Sequence, residues 1–181
     1  MLTGAQLARG LAFASVADAP QSEAGLVGEL PLPPDFPVVE YDSAVLAFRT
    51  RIGATQPAPE SPWVEFSAAW VAVLYRFLDV ATFDGELRRS LKEFGTAPAP
   101  ADRYRQERLL FGFFVSGLSA LESFCYGLCA IAWEAHPKKV SLASLGQKKN
   151  ATAASTLDRF SKHFRSDAVT ATLRDLLESQ A

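Results

Sequence analysis

Glu122, Cys125, Cys129 and His136 are residue types that hold metal ions or move protons, and spacings of three, four and seven gather them on one side of a helix. The helical rise limits what they can do. His136 falls about 10 Å along the axis from Cys129, so one ion takes at most the first three and needs a ligand from another element. The other histidine is His163, and there is no second cysteine pair. The same stripe continues through Phe111, Val115, Leu118 and Trp133, which reads as a core face, so no metal site and no cofactor are expected. Two cysteines one turn apart are too few for a disulfide framework and badly placed for a bridge within a helix, so both are expected reduced. Glu122 is then expected as a buried carboxylate, costly unless neutralised or paired, with Arg76 or an arginine from a second copy as its partner.

A second constellation is Arg159 with His163, four residues apart on the polar flank of a short helix. They stand among Lys138, Lys139, Lys148, Lys149, Lys162 and Arg165. Residues 137–165 hold seven basic groups against Asp158 alone, a local +6, whereas residues 1–100 hold seven basic and twelve acidic groups and the chain totals −2. Such asymmetry describes one basic face, and those six lysine and arginine residues are the expected contacts to nucleic-acid phosphates. Classical hydrolase and nucleotide-cofactor chemistry is set aside. Ser116-Gly117-Leu118-Ser119-Ala120 lacks the second glycine of a nucleophile elbow and lies within a helix, and no glycine-rich phosphate loop or dinucleotide fingerprint occurs.

The element that must position most of these residues is Leu109 to Trp133, twenty-five residues in which Glu122 is the only charge. With Asp102 as N-cap and Pro137 closing the far end, a helix over 103–136 is expected. At about 1.5 Å per residue it would run about 50 Å, beyond the roughly 30 Å of a small domain. It therefore either kinks near Gly112, Gly117 or Gly127, or buries its excess against a second copy, and a homodimer through this helix is expected. Gly112, Ser116, Ala120 and Gly127 offer close helix approach. An apolar run of this length is also the usual sign of a membrane span. Glu122 near its middle would cost on the order of 3 kcal/mol there, so a soluble chain without membrane contact is expected. Ser15-Val16-Ala17 resembles a signal-peptidase site, but no basic segment precedes it and Arg9 interrupts the apolar stretch, so the expected location is cytoplasmic.

Two regions are expected: an arm over 1–41, with a helix placing Leu7, Leu11 and Ala14 inward and a proline-rich connector over 20–41, and a helical bundle over 42–181. In the bundle, Asp42 or Ser43 opens a helix with Val45, Phe48 and Ile52 on its apolar stripe, ending at Gly53. Ser61 and Pro62 open a stronger helix with Trp63, Phe66, Trp70, Val73 and Phe77 on one face. Asp84 is expected to cap a separate short segment that ends at Gly95. Beyond the long helix, Leu157, Phe160 and Phe164 mark one more helix, and Ser166 opens a last one carrying Val169, Leu173 and Leu176. No β alternation persists. The fold class is all-α, a helical bundle around one long, almost wholly apolar central helix.

The run FFVSGLSALESFCYGL over 113–128, followed by a short basic helix with Arg159 and His163, resembles the HEPN-like helical bundles over residues 60–180. The resemblance implies a dimer, and in ribonuclease-type members an arginine and a histidine with four to six residues between them cleave RNA without metal. Here only Phe160, Ser161 and Lys162 separate Arg159 from His163, a departure that fits a member without catalysis. The expected function is a homodimeric RNA-associated or regulatory interaction module. The competing readings are a structural or adaptor protein with no nucleic-acid role and a membrane-associated helical protein.

Overall fold

The computed structural model describes residues 32, 33, 36–52 and 61–178, and every regular element among them is a helix. They are α1 (Val38–Ile52), α2 (Pro62–Phe94), α3 (Pro100–Ala135), α4 (Leu145–Lys149), α5 (Ala153–His163) and α6 (Ala168–Glu178). The chain is an all-α bundle, as its patterning predicts. The N-terminal helix with Leu7, Leu11 and Ala14, most of the proline-rich connector, and the stop at Gly53 lie outside the described residues.

Ser61 opens α2 as expected, its hydroxyl accepting the Val64 N–H while Pro62 takes the first helical position, where a missing N–H costs nothing. The helix does not stop before Asp84. That carboxylate instead accepts two bonds from Arg88 Nε, at 2.9 and 2.8 Å, one turn along the same surface. Nothing between 79 and 84 opposes helical geometry, so the two expected segments are one helix of 33 residues. It ends where Gly95 adopts φ 73° and its N–H bonds Leu91 O at 2.9 Å.

After a five-residue connection, α3 begins one turn earlier than expected. Pro100 starts it, Ala99 supplies no side-chain cap, and Asp102 lies inside the first turn, where a negative charge suits the helix N-terminus. The helix then runs unbroken for 36 residues, about 54 Å, through all three glycines. They serve close packing against α2. A Cβ on Gly112 would stand 2.7 Å from the Phe83 ring, and one on Gly127 3.3 Å from the Trp70 ring. Ser116 is buried in the same seam, and Gly117 faces Val80. The small residues expected at a helix contact are used within the chain, in an α2–α3 hairpin. Gln106 ties its turn by donating to Gly95 O (3.1 Å) and Ser90 O (3.4 Å) at the end of α2.

One end of this hairpin carries the core. The α1 helix starts at Val38, a turn before Asp42 and Ser43, so neither is its cap and the bundle reaches back past the expected boundary at 41. Aromatic packing explains the shift. Phe36 meets Phe77 edge-on at 5.2 Å, Tyr41 stacks on Trp70 at 5.8 Å, Tyr41 O–H donates to Trp70 O, and Trp70 Nε1 donates to Tyr41 O. Phe48, Phe66 and Trp70 continue the stack at 4.4 and 5.1 Å. On the other side, α5 and α6 lay Phe160 and Leu173 against the C-terminal half of α3, whose Cys125, Leu128, Cys129 and Ala132 are buried. Ser144 with Gln147 and Thr152 with Ser155 form capping boxes that start α4 and α5. Asp167, not Ser166, bonds the opening turn of α6, accepting the Val169 N–H at 2.9 Å.

The remaining half of the hairpin is only two helices thick, and the consequence for Glu122 reverses its expected state. Glu122 is exposed. The α2 helix covers the side of α3 that bears Leu109, Ser116 and Gly127, while α5 and α6 cover the opposite side only from Cys125 onward, and Glu122 falls on that side just short of the cover. Arg76, its expected partner, pairs with Asp79 instead at 3.1 Å. Phe111, Val115 and Leu118, read from sequence as core, lie on the same uncovered side, with Phe111 71% and Leu118 60% exposed. Both α2 and α3 are long and apolar enough to cross a membrane by length and composition, where one such helix was expected.

Candidate functional site

The chemistry-bearing residues divide into a buried cluster and a basic surface. In the buried cluster, Cys129 has no exposed surface; its thiol lies 3.4 Å from Thr156 Oγ1 and 4.0 Å from Arg159 Nη1. Burial pushes its pKa up, with Thr156 and the Arg159 charge opposing. Burial also pushes Cys125, one turn away, up to about 11, helped by Cys129 and Glu122. Both cysteines are free thiols and stay protonated near neutral pH, poor nucleophiles and poor ligands. Among the described residues no group of three His, Cys, Asp or Glu is placed to hold a metal.

Arg159 is correspondingly committed. Half-buried, it donates from Nη2 to Asn150 O at 3.4 Å as well as reaching Cys129, so it braces the α4–α5 junction to the long helix. His163, one turn further on, is also half-buried, beside the Phe164 ring at 6.5 Å. The arrangement leaves the arginine occupied by protein groups. A cavity between α3, α5 and α6, lined by Leu128, Ile131, Phe160 and Val169 among others, encloses about 20 Å³, the scale of one water molecule rather than a cofactor.

Lys148 is a second residue whose position differs from its expected role. Its ammonium donates to Glu65 Oε1, and Tyr126 O–H donates to Glu65 Oε2. The Glu65 side chain is 13% exposed and that of Lys148 30%, so the lysine's charge is spent across the α2–α4 gap rather than offered to a phosphate. Glu65, half-buried, and not Glu122 is thus the carboxylate paired between helices. Burial raises its pKa, but the bonds from Lys148 and Tyr126 and the lysine's charge outweigh that and hold it below the ordinary 4.5. A lowered folded pKa contributes stability that is complete above the unfolded value and is lost as pH falls through the folded one. Thermal denaturation followed from about pH 7 to pH 3 should therefore show a steeper acid decline for wild type than for Glu65→Gln. Parallel curves would show that the triad contributes nothing to acid sensitivity.

The basic surface comprises the other five expected cations: Lys138, Lys139, Lys149, Lys162 and Arg165 are all exposed. Lys139 Nζ lies 5.9 Å over the Phe164 ring, which His136 also approaches, at 5.2 Å. Burial lowers the His136 pKa, and the charges of Lys139 and Arg51 lower it further, so this histidine is neutral near pH 7. Arg51, from the last turn of α1, thereby joins the basic surface from a region the sequence reading did not connect to it. Its signal was present, two arginines closing an amphipathic helix, but nothing local says which turn of the chain that helix end will meet.

No family model, curated protein or solved structure matches the chain. The site must therefore be read from its own geometry. Exposed ammonium and guanidinium groups can bind anions, whereas the braced Arg159 and the two protonated thiols supply no activated nucleophile.

Proposed function

We propose that the chain is a soluble, cytoplasmic, homodimeric interaction module of HEPN-like type that associates with RNA through its basic surface and does not cleave it. The observation that carries the reading is that Lys138, Lys139, Lys149, Lys162 and Arg165 are all exposed, and that Lys139 and Arg51 from α1 both lie close enough to His136 to act on its charge. Two further features support binding over catalysis. Arg159 is engaged by Asn150 and Cys129, and the spacing to His163 is shorter than the resemblance requires.

Phosphate contacts make such binding weakly sequence-selective and strongly salt-dependent. Titration of single-stranded RNA by fluorescence anisotropy at two salt concentrations should show this. Lys138→Ala with Lys139→Ala should lower affinity and reduce the salt slope by about 0.7 for each lost contact. Lys148→Met should leave the slope unchanged, because that ammonium already serves Glu65, and His163→Ala should leave binding intact. Absence of binding at low salt would hand the chain to the adaptor reading, which the exposed apolar side of α3 independently favours.

A further inference from the structure

Six large side chains occupy the uncovered side of α3: Tyr104, Leu110, Phe111, Phe114, Val115 and Leu118, the first, third, fourth and last of them at least 60% exposed. Their order has a heptad register. Tyr104, Phe111 and Leu118 repeat every seven residues, and Arg108, Val115 and Glu122 repeat every seven between them, which is the seam of a helix pair. The area is adequate. These side chains present on the order of 600 Å² per copy, against about 800 Å² for each partner of a standard interface.

Charge decides the partner and its direction. Arg108 and Glu122 are both exposed, and they stand seven residues before and seven after Val115. A parallel pair would set arginine beside arginine and glutamate beside glutamate. An antiparallel pair of the same helix, with its two-fold axis at Val115, sets Arg108 of each copy beside Glu122 of the other while Phe111 and Leu118 interleave between them. We infer that this face receives a second copy of the chain, packed α3 against α3 in antiparallel, with two symmetry-related Arg108–Glu122 pairs closing the apolar seam. The inference rests on reading the chain as an interaction module and names its partner. It also moves the interface away from Gly112, Gly117 and Gly127, which are turned toward α2.

Light scattering and sedimentation at micromolar concentration should report twice the 19.6 kDa chain mass. Phe111→Glu with Leu118→Glu should give a monomer with unchanged helicity, since both positions are on the surface. Arg108→Glu alone and Glu122→Arg alone should each weaken the dimer about tenfold, and the double swap should restore it. Failure of the swap to restore association overturns the antiparallel register. A wild-type monomer overturns the inference outright, whether its face proves covered by residues 1–31 in footprinting or recoverable only with detergent. RNA titration of the Phe111→Glu, Leu118→Glu variant keeps the two proposals separate, because the basic side chains lie on other elements. The variant should bind RNA as a monomer; in wild type, RNA binding by a monomer sinks the dimer alone, and a dimer that binds no RNA sinks the RNA reading alone.

Discussion

Phe66→Ala is expected to lower the melting temperature by about 8 to 16 °C, the largest single effect at any position considered. Phe66 has no exposed surface and sits between Phe48 at 4.4 Å and Trp70 at 5.1 Å, with Trp63 at 6.2 Å. Truncation removes a buried ring and leaves a cavity lined by three aromatic side chains that are themselves fixed by neighbours. Such a site collapses poorly, so the cost belongs near the middle of the range for a core phenylalanine, about 4 kcal/mol. Because α1 meets α2 largely through this stack, the same variant should expose Phe48 and Tyr41. Differential scanning calorimetry measures the first effect, and near-ultraviolet circular dichroism the second. A shift below about 3 °C would mean that α1 contributes little to the core.

Gly127→Leu is expected to follow closely, at about 3 kcal/mol and a fall of about 6 to 12 °C. Even a methyl group there would press on the Trp70 ring at 3.3 Å, with Ala69 already in contact at 3.6 Å, and the indole cannot retreat without losing the bond its Nε1 donates to Tyr41 O. A leucine must therefore part α2 from α3. Gly117→Leu provides the contrast, since the space beside it reaches Val80 only at 3.9 Å, and its cost should be smaller. Thermal melts of the two variants side by side decide the matter. Equal melting temperatures would show that the hairpin seam is looser at Trp70 than its distances indicate.

Helix ends were legible at Ser61 with Pro62 and at Gly95, where a capping hydroxyl, a fixed φ and a left-handed glycine act locally. The starts expected at Asp42 or Ser43, Asp84, Asp102 and Ser166 were not, because packing or a neighbouring residue sets those boundaries. Which side of α3 would be covered was not legible. Its surface is apolar nearly all round, so Leu109 and Leu110, adjacent and chemically identical, end up buried and 44% exposed according to where α2 happens to lie. The same ambiguity misplaced Glu122. The partner of Lys148 is 83 residues away at Glu65, a distance over which charge spacing along the chain carries no information. Arg159 was singled out for a proton-moving role on its spacing from His163, whereas its surroundings, Cys129 thirty residues earlier and Asn150 nine, emerge only once α5 docks.

The five-residue connection between α2 and α3 has a kinetic meaning as well. The two longest helices of the described chain are neighbours in sequence and pack along their length, so bringing them together closes one short loop, while the docking of α5 on α3 must close a longer one. Folding is therefore expected to begin at the Gly95 turn and travel away from it as a zipper, reaching Trp70 and Cys129 before the C-terminal helices arrive. On a ribosome, that order lets a two-helix stem form outside the exit tunnel while the basic end of the molecule still lies inside it.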